Sequence, residues 1–321
     1  MKRASRKHPN TCHRGARSGF WWLGATLVGA LWGCAPETLE QLPIERLAFV
    51  PGGQITVGSA TIASRIPLLV DRFEITWEEW DGYVAATGSG DLDGGTLVPS
   101  GPPEHPAVGM DLAAAEAFAA WRSMRLPTVS EWLWIAAGPR AMTYPYGITP
   151  TQSAANTLEL GLYRATPVGT FFNGRTPGDP IFDLEGNVAE WALLADWRAP
   201  GWLPMGTDTL GYQGTRAWAM GGSYLGHSQP LYRFLQDRVE VHAVELGSTY
   251  RSSDVGLRCV VDAKAWLEAN ADEYSDRSYE VRLRAVGRGW GARSGELLLD
   301  LIKRYPDARL FRWLLQGAQE A

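Results

Sequence analysis

Hydrophobic positions change their rhythm twice along this chain. The first regime is a fourteen-residue uncharged run, Phe20 to Gly33, behind six basic residues (Lys2, Arg3, Arg6, Lys7, Arg14 and Arg17) and ahead of the first acid, Glu37. A spanning helix needs about 20 apolar residues, so this shorter run behind a basic start reads as a signal-peptide core. From Ile44 to about Asp262 the second regime alternates short apolar runs with turn clusters. The spacing predicts a helix over 76–86, where Thr76 and Glu79 form a capping box and Trp77, Trp80, Tyr83 and Val84 share a side. A second helix is expected over 112–124, with Asp111 as N-cap and Ala115, Phe118, Ala119 and Arg122 at helical intervals. A third, shorter one starts at Thr128 and carries Glu131, Trp132 and Ile135. Between Gly138 and Gly222 little is periodic, which predicts loops and short strands, and no internal repeat is visible.

Beyond Asp262 the third regime begins. Leu298, Leu301, Ile302 and Tyr305 form a helical stripe stopped by Pro306, and Leu310, Phe311, Leu314 and Leu315 form a second. A terminal helical hairpin is expected there. Tyr279, Val281, Leu283 and Ala285 alternate with Glu280, Arg282 and Arg284, which predicts one strand. A segment this small is expected to pack on the main domain or on a partner.

Composition sharpens this picture. The chain has 321 residues, 45% of them hydrophobic, enough for a sizeable core. It carries 36 Gly, 20 Pro and 15 Trp, which points to a loop-rich fold, not to a helical bundle. The net charge is −5, and setting aside the six leader bases leaves 24 basic against 35 acidic residues, or −11. Nothing there resembles the basic surface of a nucleic-acid binder, and none is expected as partner.

Three cysteines cannot form a disulfide scaffold. Cys12 lies in the leader. The stretch Leu31-Trp32-Gly33-Cys34 resembles a bacterial lipobox: Leu31, Gly33 and Cys34 fit it, while Trp32 is bulkier than usual. The expectation is a signal peptide over 1–33, a lipidated Cys34 holding the protein to a membrane, and a tether over 34–43. Ala35 after the cysteine favours the outer over the inner membrane by the same resemblance. An ordinary signal peptide or an uncleaved anchor is the alternative. Cys259, within the apolar run Gly256 to Val261, is expected to be a buried, inert thiol.

Several ordered blocks resemble the sulfatase-modifying-factor domain, the family of the formylglycine-generating enzyme. They run from Phe49-Val50-Pro51-Gly52-Gly53 through Phe73-Glu74-Ile75-Thr76 with Trp80, then Arg125-Leu126-Pro127-Thr128 with Glu131-Trp132. Tyr144 to Gly147, Thr166 to Gly169, Asp183 to Trp191, Gly221 to Tyr224 and Val255 to Cys259 follow in order. The resemblance covers 44–262, with 263–321 as a mainly helical extension. It implies an α+β, C-type-lectin-like fold with much irregular structure, in which most Trp residues pack the core and loops.

The resemblance also says where chemistry belongs. The family's enzyme oxidises a substrate cysteine with copper held by two thiolates five positions apart, just after the Gly-Gly-Ser-Tyr block. Here those positions fall on Gly226 and Leu231. Neither offers the soft sulfur that Cu(I) requires, so no copper is expected. His227 stands beside the first position, and His105 and His242 are the other histidines past the leader, without ligand spacing. Ser223, Tyr224 and Arg233 match family positions. The family's second calcium site aligns with Asp183, Gly186, Val188 and Glu190, two carboxylates and two backbone carbonyls of the hard-oxygen kind calcium takes. One structural calcium is expected. The first site begins at Asn156 and Thr157, but Leu160 falls where an aspartate belongs.

The sequence reading is therefore a non-catalytic, membrane-anchored envelope lipoprotein whose domain binds a protein or glycan partner. Trp202 and Trp218 are candidate sugar platforms weighed against ordinary packing. The alternative is a formylglycine-type oxidase or another metal-dependent oxidoreductase acting on a cysteine of a protein substrate.

Overall fold

The computed structural model describes residues 43–58, 60–89, 100–194, 202–207, 216–235 and 238–321. The leader, Cys12, Cys34 and all of the tether but Pro43 lie outside the described residues. In chain order the elements are β1 (Leu47–Val50), β2 (Gly53–Val57), β3 (Ala60–Ser64), β4 (Leu68–Asp71), α1 (Trp77–Thr87), α2 (Leu112–Trp121), α3 (Val129–Ala137), β5 (Ala189–Ala192), β6 (Trp202–Thr207), β7 (Arg216–Met220), β8 (Tyr232–Leu235), β9 (Arg238–Gly247), β10 (Val255–Gly256), β11 (Val260–Asp262), α4 (Ala263–Ala269), α5 (Glu280–Trp290), α6 (Gly295–Arg304) and α7 (Arg309–Gln319). None of the described helices is long and apolar enough to cross a membrane.

The three expected helices of the domain form, and their caps explain where they start. Thr76 and Glu79 close a capping box on α1, and Thr128 and Glu131 close another on α3. Asp111 accepts from the Ala114 N–H at 2.9 Å to open α2. That helix ends at Trp121, earlier than the expected 124, because Ser123 turns left-handed at φ 57°. Arg122, just past the helix, spends its guanidinium on Asp71 at 2.8 and 2.9 Å.

Three sheets carry the rest. β1, β4 and β11 pair antiparallel in the order β1-β4-β11, and β2 pairs with β3 as a hairpin. The largest sheet runs β10-β5-β7-β9-β6, with β8 also on β9; β10 lies parallel to β5 and β6 parallel to β9. Side chains alternate across a strand, and in β1 and β4 this splits the core in two. Leu47, Phe49 and Leu69 face one apolar cluster with α1, α2 and the C-terminal helices, whereas Ala48, Val50, Leu68 and Val70 face another with α3.

The C-terminal segment holds the main departure from expectation. Residues 279–285 are not a strand: they fall in a short 3-10 turn and α5. Val281 is 77% exposed whereas Leu283 is fully buried, and Leu283, Val286, Gly287 and Trp290 share the buried face at helical spacing. The expected hairpin exists as α6 and α7. The whole segment joins the domain's own core: Trp290, fully buried, stacks on Phe49 at 5.5 Å and donates to the Leu47 carbonyl at 3.3 Å. Leu42–Ala321 is one compact unit.

Candidate functional site

Two irregular loops, 183–188 before β5 and 221–231 between β7 and β8, are hydrogen-bonded to each other. The first is held in shapes that ordinary residues avoid. Asp183, Gly186 and Asn187 all have positive φ (58°, 73° and 55°), the region where glycine and asparagine are easiest. A Cβ at Gly186 would lie 2.4 Å from the Asn156 carbonyl oxygen, so the loop also requires glycine for space. Asn187 is fully buried; its Nδ2 donates to Glu74 Oε2 at 2.6 Å, and its Oδ1 accepts from the Thr166 N–H at 2.9 Å and from Asn156 Nδ2 at 3.1 Å. The Gly186 N–H reaches the Gly221 carbonyl, and the Tyr224 N–H reaches the Asn187 carbonyl, each at 3.0 Å. These two bonds lock the loops together.

Beneath the first loop lies a buried ionic cluster. Glu190 accepts from Arg258 Nε at 3.0 Å, from its Nη2 at 2.6 Å and from Trp132 Nε1 at 2.7 Å. Glu74 takes the Val188 N–H at 3.0 Å, and Asp183 takes the Gly169 N–H at 2.6 Å. Glu74, Asp183, Glu190 and Arg258 are at most 6% exposed. Three carboxylates thus share one guanidinium. Burial, then the neighbouring Asp183 and Glu190 charges, raises the Glu74 carboxyl well above its ordinary range, and burial pushes Asp183 up to about 6.

This cluster is the test of the expected calcium set. Asp183, Gly186 and Val188 lie together on the loop, and the surplus buried negative charge suits a hard cation. Glu190, however, is turned to Arg258 and Trp132. Among the described residues no group of three His, Cys, Asp or Glu is arranged to hold a metal; the expected set, with two carboxylates and two carbonyls, is of another kind. Glu74 and Arg258 were not among the sequence-chosen site residues. Arg258 stands as a lone charge inside the apolar run Val255 to Val261, a signal that could have found it; Glu74, flanked by Asp71, Arg72, Glu78 and Glu79, carries no such signal.

The second loop carries the positions of the copper thiolates. Gly226 accepts at its carbonyl from the Leu158 N–H at 2.8 Å, and Leu231 is a core residue, 1% exposed. A glycine without a side chain and an aliphatic group in the core do not fit copper. The Ser223 hydroxyl donates to Asp254 at 2.7 Å, Tyr224 is buried with its hydroxyl on the Ser253 carbonyl at 3.2 Å, and Arg233 is paired with Glu240. His227 is exposed, its Nδ1 2.9 Å from Glu159, whereas His242 is partly buried with its Nδ1 shielded, and desolvation lowers its pKa to about 4. Cys259 is fully buried, its N–H on Asp71 at 3.0 Å, and burial pushes its thiol up. Trp218 is 5% exposed in the core of β7, as ordinary packing requires, and the Trp202 side chain lies outside the described residues.

Mixed sheets, capped helices and a long irregular region locked by a Gly-Asn loop define an α+β scaffold of the sulfatase-modifying kind. The sulfatase-modifying factor enzyme 1-like domain matches residues 35–263, and the chain belongs to that family. It is 30% identical over 185 residues to the formylglycine-generating enzyme of Streptomyces coelicolor, covering 51% of this chain and 55% of that one. It is 37% identical over 111 residues to the hercynine oxygenase of Mycolicibacterium thermoresistibile, 32% of this chain and 24% of that one. To the inactive Cα-formylglycine-generating enzyme 2 of Bos taurus it is 33% identical over 99 residues, 27% of this chain and 32% of that one. The chain thus spans about half the length of the formylglycine-generating relative.

Proposed function

We propose that this chain is a non-catalytic member of the family: a lipid-anchored envelope protein, held by Cys34, that binds a protein or glycan partner through the loop face of its domain. One observation carries the loss of catalysis. The positions that the family resemblance assigns to the copper thiolates are Gly226 and Leu231, and the Leu231 side chain is built into the apolar core. Cys259 is no substitute, being fully buried with a thiol that burial keeps protonated. Ser223 and Tyr224, which match family positions, are engaged with Asp254 and Ser253. The bovine relative named as inactive gives a precedent for the scaffold without the reaction. The basic leader and the Leu31-Trp32-Gly33-Cys34 stretch support the anchor.

The competing reading, an oxidase like the enzymes among its relatives, is tested directly. The full chain in detergent, supplied with copper and oxygen, is incubated with a peptide bearing a sulfatase-type cysteine motif, and the product is weighed by mass spectrometry. An intact cysteine is expected. Conversion of that thiol to an aldehyde overturns the proposal.

A further inference from the structure

A cavity of about 280 Å³ opens where the ends of β1 and α3 and the turn 176–181 meet the C-terminal extension. Its walls are apolar: Phe49, Trp134, Ile135, Met142 and Ile181 line it. The polar groups in those walls are already engaged. Asp179, 4% exposed, accepts from Arg72 Nη1 at 2.5 Å and from the Phe49 N–H at 2.8 Å. The Thr176 hydroxyl donates to the Asp179 carbonyl at 3.1 Å and accepts from the Ile181 N–H at 3.0 Å. Trp134 Nε1 donates to the Pro51 carbonyl at 2.7 Å.

Two guanidiniums at this cavity are not engaged. Arg140 and Arg293 both line it, both are exposed, and among the described residues neither has a hydrogen-bond or ion-pair partner. Each stands on a turn that the fold holds. Around Arg140, the Ala141 N–H reaches the Gly138 carbonyl at 3.2 Å and the Met142 N–H reaches the Ala137 carbonyl at 2.9 Å. Arg293 lies in the turn Gly291–Ser294, where the fully buried Ser294 donates its hydroxyl to the Gly291 carbonyl at 2.9 Å. Its guanidinium rests against Gly178, where a Cβ would lie 2.7 Å from Nη2, and stands near Asp179 without pairing with it. Apolar walls with free guanidiniums select an anion that carries an apolar body, and the planar guanidinium matches the two oxygens of a carboxylate. The volume lies just below the ~300–1,000 Å³ of ordinary small-molecule sites, so the body is short. A dianion is disfavoured, because the Asp179 carboxylate stands in the same wall.

We propose that this cavity binds a small organic monocarboxylate, its apolar body against Phe49, Trp134 and Ile135 and its carboxylate held by Arg140 and Arg293. The domain supplies one guanidinium and the extension the other. The site shares no residue with loop 221–231 and stands independently of the partner reading above.

The test is isothermal titration of the full chain in detergent, referenced to detergent alone, with 3-phenylpropionate, its uncharged isostere 3-phenylpropanamide, and phenyl phosphate. One site for 3-phenylpropionate is expected, with the amide and the phosphate binding more weakly. Arg140→Gln and Arg293→Gln, both at exposed positions, should each weaken the carboxylate about fivefold, as loss of an exposed charge contact implies. Arg312→Gln, an exposed arginine of α7 outside the cavity, should not. Met142→Trp fills the cavity from a half-buried position and should remove binding altogether. Absence of 3-phenylpropionate binding by the folded chain, equal binding of the amide, or undiminished binding by both arginine variants overturns the site. Tighter binding of phenyl phosphate overturns the choice of a carboxylate. Carboxylate binding that survives in a folded Met142→Trp chain places the ligand elsewhere and overturns the assignment to this cavity.

Discussion

His242 sits on β9 with its Nδ1 buried and without a partner, its ring against Gly222 of the Gly-Gly-Ser-Tyr loop. A Cβ at Gly222 would lie 2.6 Å from that ring, and its φ of 70° also favours glycine, so ring and loop are fitted to each other. The folded state keeps the imidazole neutral down to about pH 4, whereas an unfolded histidine gains its proton near 6.5. Between those values the unfolded chain binds a proton that the folded chain refuses, so stability falls as pH drops through that window. At pH 4.5 this amounts to about 2–3 kcal/mol. The melting temperature of the native chain should therefore fall more between pH 7 and 4.5 than that of His242→Gln. Equal falls would show that this ring does not titrate as described. At this scale the sequence disclosed caps well and polar burial poorly. Thr76, Asp111 and Thr128 were legible because a cap is a local bond. Glu74 and Arg258 were not, because the partners of Glu74, Asn187 and Val188, and the partner of Arg258, Glu190, each lie more than sixty positions away in the chain.

Among the elements, α5 shows why a local pattern misleads. Tyr279, Val281, Leu283 and Ala285 alternate like a strand, yet the residues that decide are Leu283, Val286, Gly287 and Trp290. Gly287 hides the stripe by carrying no apolar side chain, and it is needed there. A Cβ on it would lie 2.0 Å from the Leu314 carbonyl oxygen, and one on Gly317 would lie 2.0 Å from that of Arg284, so the two glycines let α5 and α7 approach backbone to backbone. The pair then delivers Trp290 onto Phe49 of β1. Trp290→Ala should cost about 3–5 kcal/mol, as other large-to-small changes in a core do. Urea unfolding checks this: if the extension were an appended module, the domain's midpoint would not move. The helical stripes of α6 and α7 were readable because leucines at 3.6-residue spacing need no distant information.

At the scale of the molecule, the surplus charge under loop 183–188 leads to the third expectation. We propose one structural calcium there, with Asp183 and the Gly186 and Val188 carbonyls as ligands, while Glu190, the fourth that the family resemblance assigns, stays with Arg258 and Trp132. A chelator should then lower the melting temperature of the full chain by roughly 5 °C, since an ion bound only by the folded state stabilises it. An unchanged curve, with no calcium in the purified protein, would mean that Arg258 and protons alone balance the three carboxylates. The ordered blocks from Phe49 to Cys259 made the family and the α+β class readable, because many of them are turns or caps whose shape their own residues impose. The same residues located the positions assigned to copper and showed that they hold no sulfur. Tertiary structure alone decided that residues beyond Asp262 complete the core and that Glu190 faces Arg258 and Trp132. Those facts depend on contacts between positions far apart in the chain, and hydrophobic periodicity carries no information about which distant groups will share a low-dielectric interior.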